Sequence, residues 1–294
     1  MSPRDILLAL IVVLIWGLNF IAIKWGVALV PPLLLTALRY SCAAIPAVFF
    51  VRRPKVKLSL LITYGIAVGV LQFGTLFVAI KLGMPAGLSS LVIQMQAFFT
   101  IGFAVLLLGE RPSRFQIAGA ILALVGILLI ASERLAGAAL LPLLMTLAAA
   151  AFWGVANITT KRAGRIDMLA FVVWSSLVPP LPLLAASLLT EGAAADWAAL
   201  SHPSWLLAGV IAFNGYGATI VGFGLWSVLL ARYPASTVVP FSLLVPVVGI
   251  TSSIALLGEP LSSFELIGSL VVFAGLMINV FGAKVLAPRR AAAL

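Results

Sequence analysis

Residues 85–113 read PAGLSSLVIQMQAFFTIGFAVLLLGERPS, and residues 234–262 read PASTVVPFSLLVPVVGITSSIALLGEPLS. Both stretches open on Pro-Ala, continue through an apolar run long enough to cross a bilayer, and close on Leu-Leu-Gly-Glu. The match continues into the next apolar run at the same constant offset, without insertion or deletion. The further pairs are Ser113 and Ser262, Phe115 and Phe264, Gly119 and Gly268, and Gly126 and Gly275. The chain therefore contains an internal repeat.

The whole chain is strongly apolar, with 63% hydrophobic residues, 9% charged residues and a mean hydropathy of +1.24. A soluble domain has about half its residues apolar and about a quarter charged, so most of this protein must lie in the lipid bilayer. At roughly 20 apolar residues per span, the sequence predicts an all-α integral membrane protein with about ten transmembrane helices. The apolar runs are 5–28, 33–51, 59–80, 86–108, 114–131, 138–159, 168–189, 204–230, 235–257 and 264–286.

Lys and Arg residues fall almost entirely on one side of these predicted helices. If the N-terminus is cytoplasmic, only Lys24, Lys81 and Arg134 lie on the opposite side, along with the acidic Glu191 and Asp196 in loops. The positive-inside rule then predicts that both termini are cytoplasmic. The net charge of +10 follows from this orientation, and we expect no nucleic-acid partner.

Each repeat contains five predicted helices, residues 1–134 in the first and 135–294 in the second. Because five is odd, the second repeat must enter the membrane in the opposite sense to the first. A second, weaker similarity between the two repeats pairs Trp16-Gly17 and Lys24 with Trp153-Gly154 and Lys161. Inverted repeats around a midplane site recur in secondary transporters, so transport is the leading function.

Polar side chains inside the predicted helices are candidates for solute binding, because each costs free energy in lipid unless it faces protein or a wet cavity. For each amide, an interhelical hydrogen bond and a place in the cavity wall both remain open. Gln94 and Gln96 are two residues apart, so we expect one to line the cavity and the other to help packing. Aromatic residues beside the amides suit an apolar organic solute. The cavity candidates are Trp16, Asn19, Phe20, Arg39, Tyr40, Gln72, Gln94, Phe98, Trp153, Asn157, Asn214 and Tyr216.

Arg39 is the only charged residue well inside a predicted helix, and Tyr40 follows it. One interpretation is an anchor for a substrate carboxylate, which Arg can bind through two hydrogen bonds. The other is a structural role in which the side chain extends toward the outer interface.

A second set of residues is expected to end helices and to shape a gate. Glycine commonly ends a helix, while prolines and glycines within a helix allow it to kink. Capping boxes are expected at the starts of the fifth and tenth helices, from Ser113 with Gln116 and Ser262 with Glu265. The glycines seven residues apart in the same helices, Gly119 and Gly126 and Gly268 and Gly275, are expected to allow close helix packing. The third and eighth helices are rich in glycine, which makes them candidates for moving parts. The gate and turn candidates are Gly109, Glu110, Gly258, Glu259, Pro240 and Pro246.

The acidic residues all lie at predicted helix ends or in loops, and the only histidine, His202, lies in a loop. Proton-coupled carriers commonly use a carboxylate or histidine within the membrane, so the pattern favours gradient-driven movement. No catalytic pair or metal-ligand cluster falls at one depth. We therefore expect no enzyme activity, no metal and no cofactor.

The ten predicted helices, the five-helix repeat, Trp16-Gly17 with Asn19 in the first helix, and the two Gly-Glu turns together resemble the EamA family of the drug/metabolite transporter superfamily. The resemblance is closest to the YddG-type amino-acid exporters. It implies a monomeric carrier of the bacterial inner membrane with a central cavity, moving neutral or aromatic amino acids or related metabolites. The second half departs from the pattern, since Asn157 comes one residue late relative to Asn19. A passive channel, or a carrier for drugs, nucleosides or other metabolites, remains the alternative.

Overall fold

The chain folds into a bundle of membrane-length helices, as its composition predicts. The computed structural model describes residues 1–135, 140–164, 166–202 and 204–286. Over these residues, ten helices are long and apolar enough to cross a membrane. They are α1 Pro3–Leu29, α2 Pro32–Phe50, α3 Leu58–Lys81, α4 Ala86–Leu108, α5 Arg114–Ser132, α6 Leu140–Ala163, α7 Met168–Ser201, α8 Trp205–Arg232, α9 Val239–Leu257 and α10 Ser263–Gly282. The predicted start of the sixth helix at residue 138 and the side chain of Arg134 lie outside the described residues.

The bundle has two faces, which we name by the chain ends. The terminal face carries the start of α1, where the Asp5 carboxylate pairs with Arg232 Nη1 at the end of α8 at 2.8 Å. The distal face carries the opposite helix ends, where Glu191 of α7 accepts a 3.0 Å hydrogen bond from the Leu33 N–H in the first turn of α2. A carboxylate at a helix start stabilises the unpaired N–H groups there.

Equivalent helices of the two repeats pack antiparallel. In the α5–α10 pair, a Cβ added to Gly119 would lie 2.6 Å from the Gly275 carbonyl oxygen, and one added to Gly126 would lie 2.6 Å from that of Gly268. The low-numbered end of each helix therefore meets the high-numbered end of its partner. These glycines allow close helix packing, as the sequence predicts, and the two repeats are inverted.

The predicted turn chemistry is present at the helix ends. Gly109 and Gly258 adopt left-handed backbone angles, with φ of 67° and 63°, and the N–H of the following glutamate reaches back to the carbonyl of Ala104 or Ser253. This is the geometry in which glycine satisfies the last carbonyls of a helix.

The starts of α5 and α10 carry the predicted capping boxes. In α5, Ser113 and Gln116 exchange hydrogen bonds between each side chain and the other residue's N–H, at 2.7 and 3.3 Å. In α10, Ser262 and Glu265 do the same at 3.3 and 3.1 Å. Reciprocal capping of this kind fixes where each helix begins.

Two pairs of equivalent helices, α3 with α8 and α4 with α9, also share the same departures from α-helical geometry. π-Helical segments occupy Gly65–Phe73 in α3 and Phe213–Val221 in α8. Segments of 3₁₀ helix occupy Ile93–Met95 in α4 and Val239–Leu243 in α9, which follows a short helix at Ala235–Val238. Such segments often occur at functional sites and hinges.

The seventh helix is longer than predicted, because it continues to Ser201 rather than ending at residue 189. The prediction that Glu191 and Asp196 lie in a loop is therefore wrong. The Ser187 hydroxyl lies 2.6 Å from Glu191 Oε2 and 2.8 Å from Asp196 Oδ1. These contacts give the polar residues of the extension partners within the same helix.

Candidate solute pathway between the two halves

The helices α1, α4 and α9 pack tightly on the distal side. Every residue from Ala86 to Met95 in α4 is buried. A Cβ added to Gly87 would lie 2.9 Å from Ser253 Cβ of α9, and one added to Gly17 of α1 would lie 2.5 Å from Val248 Cγ1. Small residues thus allow the three helices to close the distal half of the bundle.

One carboxylate joins these three helices at the distal face. Glu259 Oε1 lies 3.3 Å from Lys24 Nζ of α1, and Glu259 Oε2 accepts a 2.8 Å hydrogen bond from the Ala86 N–H at the start of α4. The Ser253 hydroxyl of α9 donates to the same oxygen. We call this set of four residues the distal latch. The position suits an anion, because the first N–H groups of a helix carry partial positive charge.

The equivalent residues on the terminal face form an ion pair that is more exposed and makes fewer additional contacts. Glu110 pairs with Lys161 of α6, which matches the pairing of Glu259 with Lys24 through the sequence repeat. The Glu110 side chain is 46% exposed, whereas that of Glu259 is 17% exposed. No bond from Glu110 to the start of the ninth helix is present among the described residues. We call Glu110 and Lys161 the terminal pair.

The terminal half of α4 is also less enclosed than its distal half. Of residues Gln96–Leu108, only Ala104 is buried, and within the described chain this segment packs on α5 and α6 rather than on α9. Among the described residues, the two repeats therefore pack closely on the distal side, while α4 and α9 do not pack substantially against each other on the terminal side.

Two predicted amides lie where the closed half meets the open half. Gln94 Nε2 donates to the Ser242 carbonyl of α9 at 3.2 Å. Asn157 Nδ2 of α6 donates to Gln96 Oε1 at 2.6 Å and to Thr100 Oγ1 at 3.0 Å. The two glutamines contact different helices, as their spacing predicts, and both make interhelical hydrogen bonds.

Arg39 of α2 is buried, with 2% of its surface exposed. The interpretation that it extends toward the outer interface is therefore wrong. Its Nη2 lies 3.3 Å from Thr219 Oγ1 of α8, and its guanidinium carbon lies 3.8 Å from the centre of the Phe73 ring of α3. Its Nε and Nη1 donors have no hydrogen-bond partner.

A small cavity of about 10 Å³ adjoins this guanidinium, which is space for about one water molecule. It is enclosed by α2, α3, α7 and α8. Its polar and aromatic walls include Tyr40, Tyr64, Phe73, Ser175, Ser176 and Thr219.

Three other predicted residues are buried amides with an unused oxygen. These are Asn19 Oδ1 of α1, Gln72 Oε1 of α3 and Asn214 Oδ1 of α8. Counted along their helices, they and Arg39 all lie about two to three turns from the distal face. The polar candidates of four helices thus occupy a narrow range of depth, at the inner end of the closed half.

The predicted aromatic residues fall into two groups. Trp16 Nε1 donates to the Ala218 carbonyl in the π-helical segment of α8 at 3.0 Å, while Phe20, Phe98 and Trp153 pack in or against the main apolar core. Tyr216 lies apart from them, with 42% of its surface exposed and its hydroxyl 3.4 Å from the Ile45 carbonyl. The structure does not bring Tyr216 together with the other candidates.

The two predicted gate prolines lie on either side of a change in helix geometry. Pro240 lies in the 3₁₀ segment of α9, and Pro246 is buried in the α-helical part that follows. Both are close to Ser242, which accepts the hydrogen bond from Gln94.

Sequence reasoning missed several residues around Arg39, namely Tyr64, Phe73, Ser175, Ser176 and Thr219. One signal was present in α7, where the two serines precede Pro179-Pro180 and the helix is interrupted between Ser175 and Pro180. Two polar residues beside a helix break at mid-membrane depth are typical of a helix that lines a cavity. For Thr219, the sequence carried no such signal.

Comparison with known proteins identifies relatives over nearly the full length. The EamA-like transporter family matches residues 4–132 and 140–281. A protein of Salmonella typhimurium named "Probable amino-acid metabolite efflux pump" is 47% identical, with 97% of each chain covered. A protein of Escherichia coli with the same name is 44% identical over the same share of both chains.

A more distant relative and a solved structure extend this comparison. A "Probable terminal-alkyne amino-acid exporter" of Streptantibioticus cattleyicolor is 29% identical, with 90% of each chain covered. One crystal structure superposes with a TM-score of 0.66 at 21% identity, covering 98% of this chain and all of the other. At that identity the structural match supports the fold alone.

Proposed function

The chain belongs to the EamA-like transporter family, and we propose that it exports amino acids or closely related small metabolites across the inner membrane by alternating access. In this mechanism, two inverted repeats exchange conformations around a central site, so that the site opens to each side in turn. The observation that carries the proposal is the difference between the distal latch and the terminal pair. Equivalent residues make unequal contacts, as expected of one state of such a cycle.

The proposed orientation in the membrane follows from the charge distribution. Lys and Arg concentrate on the terminal side of the helices, and cytoplasmic loops carry the excess of these residues in membrane proteins. We infer that the terminal face is cytoplasmic and that this conformation receives solute from the cytoplasm. The names of the two most similar relatives given above support efflux of amino-acid metabolites as the direction and cargo.

The proposed pathway runs from the terminal side to the depth at which the buried polar side chains of α1, α2, α3 and α8 lie. Asn19, Gln72 and Asn214 supply unused oxygens there, and Gln94 lies at the closed end. Trp16, Phe20, Phe98, Trp153 and Asn157 form the remaining walls in this proposal, while the latch and the terminal pair, with Pro240 and Pro246, act as gates. We propose a monomer without a cofactor, as the resemblance to the family implies.

A passive channel is the weaker alternative, since the distal half offers no continuous polar face. The experiment is flux into liposomes that contain the purified protein, with labelled neutral, aromatic and basic amino acids tested in turn. We expect saturable flux for a subset of the neutral or aromatic solutes. Lack of saturable flux for every amino acid would contradict the proposed cargo, and flux that never saturates would favour a channel.

A further inference from the structure

The buried guanidinium of Arg39 is the feature of this molecule that its own contacts explain least. A charge removed from water is costly unless it is paired and fully hydrogen-bonded. Here Thr219 supplies one long hydrogen bond, and Nε and Nη1 remain unused. Across the part of the chain that the structure describes, no carboxylate lies within ion-pair distance of Arg39.

Aromatic contacts do not remove this imbalance. The Phe73 ring lies 3.8 Å from the guanidinium carbon, and the Tyr40 and Phe77 rings lie 5.5 and 5.9 Å from it. A cation above a ring face is stabilised by the ring quadrupole, but the N–H donors point along the plane of the guanidinium and still need acceptors. The rings therefore fix the plane of the guanidinium and leave the N–H donors at its edges without acceptors.

The surroundings of the free donors are those of a binding site. The adjoining cavity is lined by Ser175, Ser176 and Tyr64, together with residues of the π-helical segments of α3 and α8. Two amides are linked to the residues around the guanidinium. Gln72 precedes Phe73 in the chain, and the Thr219 hydroxyl donates a 2.9 Å hydrogen bond to the backbone carbonyl of Asn214. Two residues that contact the guanidinium, Phe73 and Thr219, are thus joined by the chain or by a hydrogen bond to amides whose side-chain oxygens are unused.

We propose that Arg39 binds the carboxylate of the transported solute, in a site formed by α2, α3, α7 and α8. This inference rests on the proposed function and assigns the residue that selects the solute. A planar carboxylate can accept two hydrogen bonds from a guanidinium. With a volume of about 10 Å³, the cavity holds no whole amino acid in this conformation, so the carboxylate must enter as α3 and α8 separate. The unused oxygens of Gln72 and Asn214 are then available to the ammonium of a zwitterion.

The test uses four solutes that share a phenyl group: L-phenylalanine, L-phenylalaninamide, phenethylamine and 3-phenylpropionate. Liposome flux and thermal stabilisation of the purified full-length protein are both measured. For the wild type we expect the two carboxylates to bind about ten-fold or more tightly than the amide or the amine, because a buried charge then gains its partner. Equal binding of L-phenylalanine and its amide would overturn the proposal, whatever the variants do.

Three variants then assign that preference to Arg39. In Arg39→Met we expect the preference for carboxylates to disappear, and in Arg39→Lys we expect it to weaken, since an ammonium lacks the planar fork. Arg53→Gln, in an exposed loop, is the matched control and keeps the preference. An Arg39→Met protein that folds and still prefers carboxylates would exclude the assignment.

The two proposals fail in different ways. If no amino acid shows saturable flux but 3-phenylpropionate stabilises the wild type and not Arg39→Met, the proposed cargo is wrong and the carboxylate site stands. If L-phenylalanine and its amide are both transported at the same rate and affinity, the transport function stands and the carboxylate site is wrong.

Discussion

Among single residues, the unused hydrogen-bonding atoms separate solute-binding candidates from packing residues. Asn157 and Gln94 satisfy their amide nitrogens on neighbouring helices, so these hydrogen bonds already give both amides a structural role. Asn19 Oδ1 has no partner, although burying an unsatisfied polar group costs about 1–3 kcal/mol. Since no structural contact of this oxygen compensates for the lost stability, Asn19 is the better candidate for contact with the solute.

Replacing Asn19 with leucine tests this interpretation. Asn19→Leu removes the unsatisfied oxygen at similar volume, so we expect an unchanged or higher melting temperature together with a flux reduced about ten-fold, as for loss of a hydrogen bond of about 1.4 kcal/mol. Both are measured on the purified protein, in detergent and in liposomes. Trp205→Ala, at a residue 94% exposed, is the control with unchanged flux. A parallel fall in stability and flux would indicate a packing role instead.

At the scale of helices, the sequence predicted the features that depend on local chemistry. The glycine helix ends, the capping boxes and the α5–α10 glycine contacts depend on a few neighbouring residues, so their spacing was sufficient. The π-helical segments of α3 and α8 were not predicted beyond a richness in glycine, because the backbone shift depends on the packing of several helices. The length of α7 was also missed, since contacts around Ser187 stabilise an extension whose sequence resembles a loop.

The close packing of α5 against α10 predicts that a large side chain at this contact lowers the stability of the protein. In Gly126→Leu, the new side chain would collide with the backbone of α10, where a Cβ alone already lies 2.6 Å from Gly268 O. Overpacking of this kind costs about 1–3 kcal/mol or more, so we expect a clearly lower melting temperature. Gly102→Ala, where the added Cβ meets nothing within 4 Å, should leave stability equal or higher. Equal stability of both variants would mean that α5 and α10 are not held at this crossing.

For the whole molecule, the repeat explains why the sequence could predict the architecture and not the conformation. The two Gly-Glu turns have nearly the same sequence, so neither is marked as the closed one. The difference between the closed and the open side arises from how each glutamate and its ion pair contact the surrounding helices. Among the residues that the structure describes, only Glu259 also reaches the first N–H of the opposing helix, and this extra contact joins the two repeats on one side.

Cysteine labelling tests whether this latch holds the distal side closed. The chain has one cysteine, so Cys42→Ser provides a background for Ser89→Cys, a fully buried position in the distal half of α4. We expect Glu259→Gln or Lys24→Met to increase its reaction with a membrane-impermeant maleimide about ten-fold, because losing a partly buried charge contact of about 1.4 kcal/mol shifts the equilibrium by that factor. Glu110→Gln removes the equivalent carboxylate of the terminal pair and should not increase labelling. If both glutamate substitutions raised the rate equally, the latch would be no more than one of two interchangeable surface ion pairs, and the closed distal side would need another cause.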